Sequence, residues 1–368
     1  MTANAPLLRS SGARTSLPLR EDAGCEDTLD TAFALGWDHA RHGVTPSLET
    51  LCAHLRLQQG FRAGRSCFGR RTQPAGVHVR AWLELRLHAL RRRITFETVQ
   101  LTPHFLARID VACCPVTREP LGEPLGPEGG RRLVRLRGDA GFAAGHVVVT
   151  GARAAQARGE LGLTALLQRQ RTCETEAKVL DGLDAAQWAR WSTLCSLVEP
   201  MPHARAAGLP LCVLPPNRLR LFNPVQALQT LLSRALLHRT PNRRLAALRE
   251  RLPAQSLPAF DAWLTSYQAR VAALLPQQPD EAPYRALEDA WQAREVLARW
   301  RRFATRLDAD RCERIVLECG EGRVRWLPDA AATDGWALEQ GGVRAAVTAR
   351  PGRSGGQRRQ LGLFDRAA

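Results

Sequence analysis

Apolar positions recur at helical spacing over most of the chain. Leu29, Phe33 and Trp37 follow Asp27-Thr28, a pair that can open a helix. Thr45-Pro46-Ser47 makes a second start, ahead of Leu48, Leu51 and Leu55. Between Val79 and Arg93, the residues Leu83, Leu87 and Leu90 share a face. That run closes on Arg91-Arg92-Arg93, cations that suit the negative end of the helix dipole. Asp184 is placed to cap a helix with Trp188, Trp191, Cys195 and Val198 inward. Asn223-Pro224 puts proline at a first helical position, and Val225, Leu228, Leu232 and Leu236 follow. Two further stripes are Phe260, Leu264, Tyr267, Val271 and Leu274, then Val296, Trp300, Phe303 and Leu307. Aromatic stripes of this kind read as core packing.

Two stretches break the helical period. Residues 110–151 are rich in Gly and Pro and end on the β-branched run Val147-Val148-Val149-Thr150, which predicts an irregular loop-and-strand module leading into a helix near residue 152. Further on, Arg323-Val324-Arg325-Trp326 alternates, and Gly341-Gly342 separates two short runs as in a hairpin, so a small β meander is expected. Pro200 to Pro216 reads as a connector. The predicted fold is mainly α with small α+β insertions. It comprises a disordered tail over 1–24, a helical region over 25–109, the central module over 110–165, a helical domain over 166–310, a β meander over 311–348, and a flexible tail over 349–368.

Composition changes this picture in three ways. An apolar fraction of 45% in 368 residues supports a real core and two or three domains. Lys plus Arg number 52 against 36 Asp plus Glu, a net charge of +16 that favours a polyanionic partner, nucleic acid before membrane surface. Lys178 is the single lysine; that ratio is typical of GC-rich coding, so part of the basicity reflects codon usage. No stretch of about 18 apolar residues occurs, so no membrane span is expected. Ten cysteines behind a start without a signal-peptide core predict reduced thiols and a cytoplasmic protein.

The central module carries candidate chemistry. It begins Cys114-Pro115-Val116-Thr117-Arg118-Glu119-Pro120-Leu121 and continues Val134-Arg135-Leu136. Asp139-Ala140-Gly141-Phe142-Ala143-Ala144-Gly145-His146-Val147 follows, then Arg153-Ala154-Ala155-Gln156-Ala157-Arg158-Gly159. These motifs resemble the phage-type branch of the HNH, or ββα-metal, endonucleases, over about 50 residues. The resemblance implies a Cys-x-x-Thr knuckle, a strand pair and a helix. It also implies a histidine base and a divalent metal that stabilises the leaving oxygen. Here Arg135 stands where the base would be and Val134 where its acidic neighbour would be. His146 and Ala155 replace the two supporting asparagines. A guanidinium stays protonated and cannot act as a base. The expectation is therefore a non-catalytic, DNA-binding remnant. The alternatives are a metal-dependent endonuclease working through His146, and a structural or regulatory protein that binds no DNA.

No metal or cofactor site is assigned from the sequence. Cys113-Cys114 are adjacent, Cys312 and Cys319 lie seven apart, and His39 and His42 with Asp38 lack a third ligand. A divalent metal would enter only with the endonuclease reading. Candidate phosphate contacts are Arg65, Arg70 and Arg71, in a stretch interleaved with Phe and Gly, and Arg131, Arg132, Arg135, Arg137, Arg153 and Arg158 in the module.

The last nine residues add a partner. Gln360-Leu361-Gly362-Leu363-Phe364 resembles the Gln-Leu-x-Leu-Phe motif by which clients bind the bacterial DNA sliding clamp. In that resemblance Leu363 and Phe364 fill a deep apolar pocket, Leu361 a neighbouring hollow, and Gln360 hydrogen-bonds at the rim. The combined expectation is a DNA-associated accessory protein recruited to replication or repair.

Overall fold

The computed structural model describes residues 23–319 apart from residues 139, 239 and 276–282. The chain divides into two compact units at Pro74–Ala75. That division falls within the stretch 25–109, which the sequence groups together.

The first unit is built on a close helix pair. Helix α1 (Ala23–Arg41) packs along α3 (Leu55–Phe68), with the short α2 (Leu48–Ala53) between them in sequence. Glycines set the spacing: a Cβ on Gly36 would meet Leu57 O at 2.0 Å, and one on Gly60 would meet Phe33 O at 2.0 Å. Trp37 and Phe68 close the far end edge to face, their rings 5.1 Å apart. Ser47 caps α2, its hydroxyl accepting from Thr50 N–H as the sequence leads one to expect. The apolar face expected on α2 is not inward, however. Thr50 is the buried residue, while Leu48 and Leu55 are 81% and 66% exposed.

The second unit is mainly helical around one small sheet. Helix α4 (Val77–Arg92) packs on α5 (Pro103–Ile109) and on β1 (Leu125–Gly126). Strand β2 (Arg131–Arg135) pairs in parallel with β1 and antiparallel with β3 (Val147–Gly151), Leu133 facing Val149 across the ladder. Helix α6 (Ala152–Arg158) leaves β3 directly. Helices α7 (Leu163–Glu176) and α8 (Ala185–Val198) follow as a packed pair. Then come α9 (His203–Ala207), α10 (Pro224–Ala235), α11 (Pro241–Glu250), α12 (Leu257–Leu274), α13 (Tyr284–Ala290), α14 (Arg294–Ala304) and α15 (Ala309–Cys319).

Helices α8 and α10 form the interior. Every residue of α8 from Trp188 onward is buried, and a helix hidden on all sides must satisfy its polar groups internally. Gln226 Nε2 donates to Ser196 Oγ at 2.8 Å, and Asn223 Nδ2 donates to the carbonyls of Ser196 and Glu199, each at 2.9 Å. Asn223 takes the N-cap position before Pro224, as the sequence predicts, but its side chain makes no capping hydrogen bond and instead ties α10 to α8. Aromatic rings fill the space between α12, α13 and α14: Trp263, Trp291 and Trp300 lie 5.2–5.5 Å apart, centroid to centroid.

Two expectations need correction. The stretch 200–216, expected as a connector, includes helix α9 and buries Leu211, Cys212 and Val213. Residues 311–319, expected to begin a β meander, continue α15, where Cys312, Ile315 and Val316 turn inward at helical spacing. The rest of that meander, 320–348, lies outside the described residues.

Candidate nucleic-acid interface

The central module opens on a tight turn. Cys114 N–H donates to Glu119 O and Arg118 N–H donates back to Cys114 O, both at 2.8 Å, while Thr117 N–H points at Cys114 Sγ at 3.5 Å. Arg118 adopts φ 64°, uncommon for a residue with a side chain. Its guanidinium spans both oxygens of Asp289 at 2.8 and 2.6 Å and donates to Glu288 Oε2 at 3.1 Å. Arg190 of α8 donates to Val116 O at 2.8 Å, and Leu214 N–H donates to Glu288 Oε1 at 2.8 Å. Burial pushes the Glu288 carboxyl up to about 7, against the hydrogen bond from Leu214 and the charge of Arg118. The turn is thus fastened to α8 and α13 inside one unit, across a separation no sequence pattern announces.

The strands and helix of the module spend most of their cations in the same way. Arg131 reaches Asp110 at 3.2 Å and Glu123 at 3.3 Å, and His78 shares the Asp110 carboxylate through Nε2 at 3.1 Å. Arg132 Nε donates to Gly129 O at 3.3 Å. Arg135 donates to Ala140 O at 2.7 Å and Gly138 O at 3.0 Å, and pairs with Glu160 at 3.4 Å. Arg153 is exposed and pairs with Glu119 at 2.7 Å. Arg158 is buried, donating to the carbonyls of Arg135 and Leu136, with its guanidinium 5.5 Å from the Trp191 ring. Arg137 is half-buried. Beside α6 runs a groove of 630 Å³ bordered by Arg153, Arg158, Arg169, Glu160 and Asp181, with Arg169 ion-paired to Asp181.

His146 follows the loop before β3 and is only 2% exposed. Its ring lies against Phe222, centroids 5.6 Å apart, and its backbone carbonyl accepts from Leu136 N–H at 2.8 Å. A general base must come within hydrogen-bond reach of the proton it removes, so this burial works against a catalytic part. Asp110, at the start of the module, faces His78 and Arg131 instead. Among the described residues no group of three or more His, Cys, Asp or Glu is placed to hold a metal ion. His39 Nδ1–H donates to Val44 O at 3.2 Å, and burial pushes the Cys312 thiol up to about 12.

Further exposed cations lie outside the module. Arg91, Arg92 and Arg93 are exposed at the carboxyl end of α4. Phe142 binds this end to the module by backbone hydrogen bonds of 2.9 Å with Thr95 O and Glu97 N–H. Arg135 lies 5.3 Å over the Phe142 ring and His88 meets its edge at 6.3 Å. One edge of the module therefore gathers Arg91, Arg92 and Arg135 around His88, a residue the sequence reading passed over. Only its position three residues before the arginine run could have drawn attention to it.

Arg65, Arg70 and Arg71 are exposed at and beyond the end of α3, in the first unit. Gly64, embedded in that basic stretch, packs against Ala40 and Trp37. Gln360, Leu361, Leu363 and Phe364 lie outside the described residues. No helix among the described residues is long and apolar enough to cross a membrane. Comparison with protein-family models, with curated proteins and with solved structures gives no match.

Proposed function

We propose that this protein is a DNA-associated accessory factor, recruited to bacterial replication or repair by binding the DNA sliding clamp through Gln360-Leu361-Gly362-Leu363-Phe364. The pentapeptide carries the reading. It joins two adjacent apolar side chains, a third two positions before Phe364's neighbour, and an amide at the rim position. The net charge of +16 and the exposed arginines at the end of α4 support DNA as the second partner. The central module then serves as a scaffold, because its cations are committed to its own carbonyls and carboxylates.

The test is the affinity of the full chain for a sliding clamp, with and without Leu363→Ala/Phe364→Ala. A short extended motif binds at about micromolar strength, and each buried apolar side chain contributes about 1.5–3 kcal/mol, so the double variant should lose at least about a hundredfold. Unchanged affinity refutes the clamp reading. DNA binding should weaken steeply between low and physiological salt as counterions are released. No binding at low salt refutes that half of the proposal.

A second reading, a metal-dependent endonuclease, draws on the strand-strand-helix order of β2, β3 and α6. Nicking of supercoiled plasmid with Mg²⁺ or Mn²⁺ that disappears in His146→Ala would establish it. The accessory reading expects the plasmid to stay intact.

A further inference from the structure

The first unit gathers cations at one end of its helix pair. Gly60 of α3 lies against Phe33, Gly64 against Trp37 and Ala40, and Phe68 against Trp37, so α1 and α3 run in the same direction. Their carboxyl ends therefore meet. The carbonyl of Arg41, the last residue of α1, accepts from Gln73 N–H at 2.8 Å. Beyond α3 the chain stays close, because Gly69 N–H donates to Arg65 O at 3.0 Å and Arg71 N–H to Phe68 O at 2.8 Å. These bonds hold the backbones of Arg41, Arg65, Arg70 and Arg71 together at that end, with Arg62 about one turn earlier on α3.

All five arginines are exposed, and among the described residues none of them has a side-chain hydrogen bond or an ion pair. In the central module, by contrast, Arg131, Arg135 and Arg153 each meet a carboxylate. Asp38, one turn before Arg41, is half-buried, and its charge acts on His42. The helix dipole accounts for Arg41 and Arg65 in the last turns, but its effect fades beyond them, where Arg70 and Arg71 stand. Thr72 and Gln73, also exposed, add neutral groups of the kind that hydrogen-bond phosphate oxygens. Residues 40–44 and 62–74 expose no large apolar side chain to enter a bilayer.

We propose that the shared carboxyl end of α1 and α3 is a surface for duplex DNA, with backbone phosphates seated among Arg41, Arg65, Arg70 and Arg71. This rests on the DNA half of the function proposed above and assigns that contact to the first unit. A guanidinium offers two parallel donors to a phosphate, and each phosphate neutralised releases condensed counterions. Contacts of this kind fix position without reading sequence, so binding is indifferent to base sequence and falls steeply with salt.

The experiment measures affinity of the full chain for short duplexes of unrelated sequence over a range of salt concentrations. It compares the native chain with Arg65→Gln/Arg70→Gln/Arg71→Gln and with Arg41→Gln alone. The triple variant should lower the slope of log affinity against log salt by about three, equally on every duplex, and Arg41→Gln by about one. Melting temperature and clamp affinity should stay at the native values. Arg41→Gln tests the meeting of the two helix ends even where the triple variant folds poorly. A native slope in both variants overturns the proposal while the native chain's DNA binding stands. A native chain that binds no DNA at low salt removes the proposal together with the DNA reading. Sedimentation of that chain with phosphatidylglycerol vesicles, without DNA binding, overturns the proposal in favour of a lipid surface.

Discussion

Around the turn at Cys114, Arg118 and Arg190 have lost most of their water; at the end of α4, Arg91 and Arg92 keep theirs. Both clusters belong to the same compact unit and consist of the same residue type. Arg118 recovers its desolvation from two carboxylates of α13, and Arg190 from a backbone carbonyl of the turn. Removing water from an ion costs several kcal/mol, and only good geometry repays it. The exposed arginines face no such cost. Net charge therefore overstates the binding surface: much of the +16 is compatible with internal fastening, and each arginine must be judged by its surroundings.

The comparison breaks most sharply at Arg118. Arg118→Ala should leave the buried Glu288 and the half-buried Asp289 without their shared cation and cost about 3–5 kcal/mol, read from urea unfolding. A loss below about 1 kcal/mol would show that the network is decorative. Arg158→Met comes next, because it strands the carbonyls of Arg135 and Leu136; a loss of about 1–3 kcal/mol in the same assay is expected.

Glu288 sharpens the contrast through pH. Its folded-state pKa, about 7, lies above the ordinary carboxylate value, so the folded state binds a proton the unfolded state has released. Its contribution is fully present below the unfolded pKa and is lost as pH rises towards about 7. Stability measured at pH 5, 6 and 7 should include this decline, and Glu288→Gln should flatten it. The smallest effect on stability belongs to Arg91→Ala/Arg92→Ala, within about 0.5 kcal/mol. The same pair should lower the salt dependence of DNA affinity by about two counterions. A large melting-temperature change in this variant would erase the distinction between the two clusters.

Helix starts were legible because their signals are local. Ser47 accepts from Thr50 N–H, and Asp184 exchanges bonds with Gln187, both within three residues. The β-branched run before residue 152 gave β3 for a similar reason: stiff χ1 angles are properties of the segment itself, here a strand whose first four residues are all buried. Gly36, Gly60 and Gly64 were less legible. A glycine inside a helical pattern does not state which backbone it must admit, and the basic stretch beginning at Arg62 concealed a helix crossing.

The sequence by itself determined where some helices of the second unit begin, α8 and α10 among them, that the chain is mainly helical, and that its charge is strongly positive. Tertiary structure decided which apolar faces are used, leaving Leu48 and Leu55 in water and burying Leu211 and Val213 of a Pro-rich stretch. It also diverted Asn223 from capping to bracing α8, and it chose which arginines are spent. The physical reason is range. A cap closes over three residues, whereas the environment of Arg118 is set by Asp289, 171 residues away. No local pattern carries the desolvation of a side chain by a helix that distant.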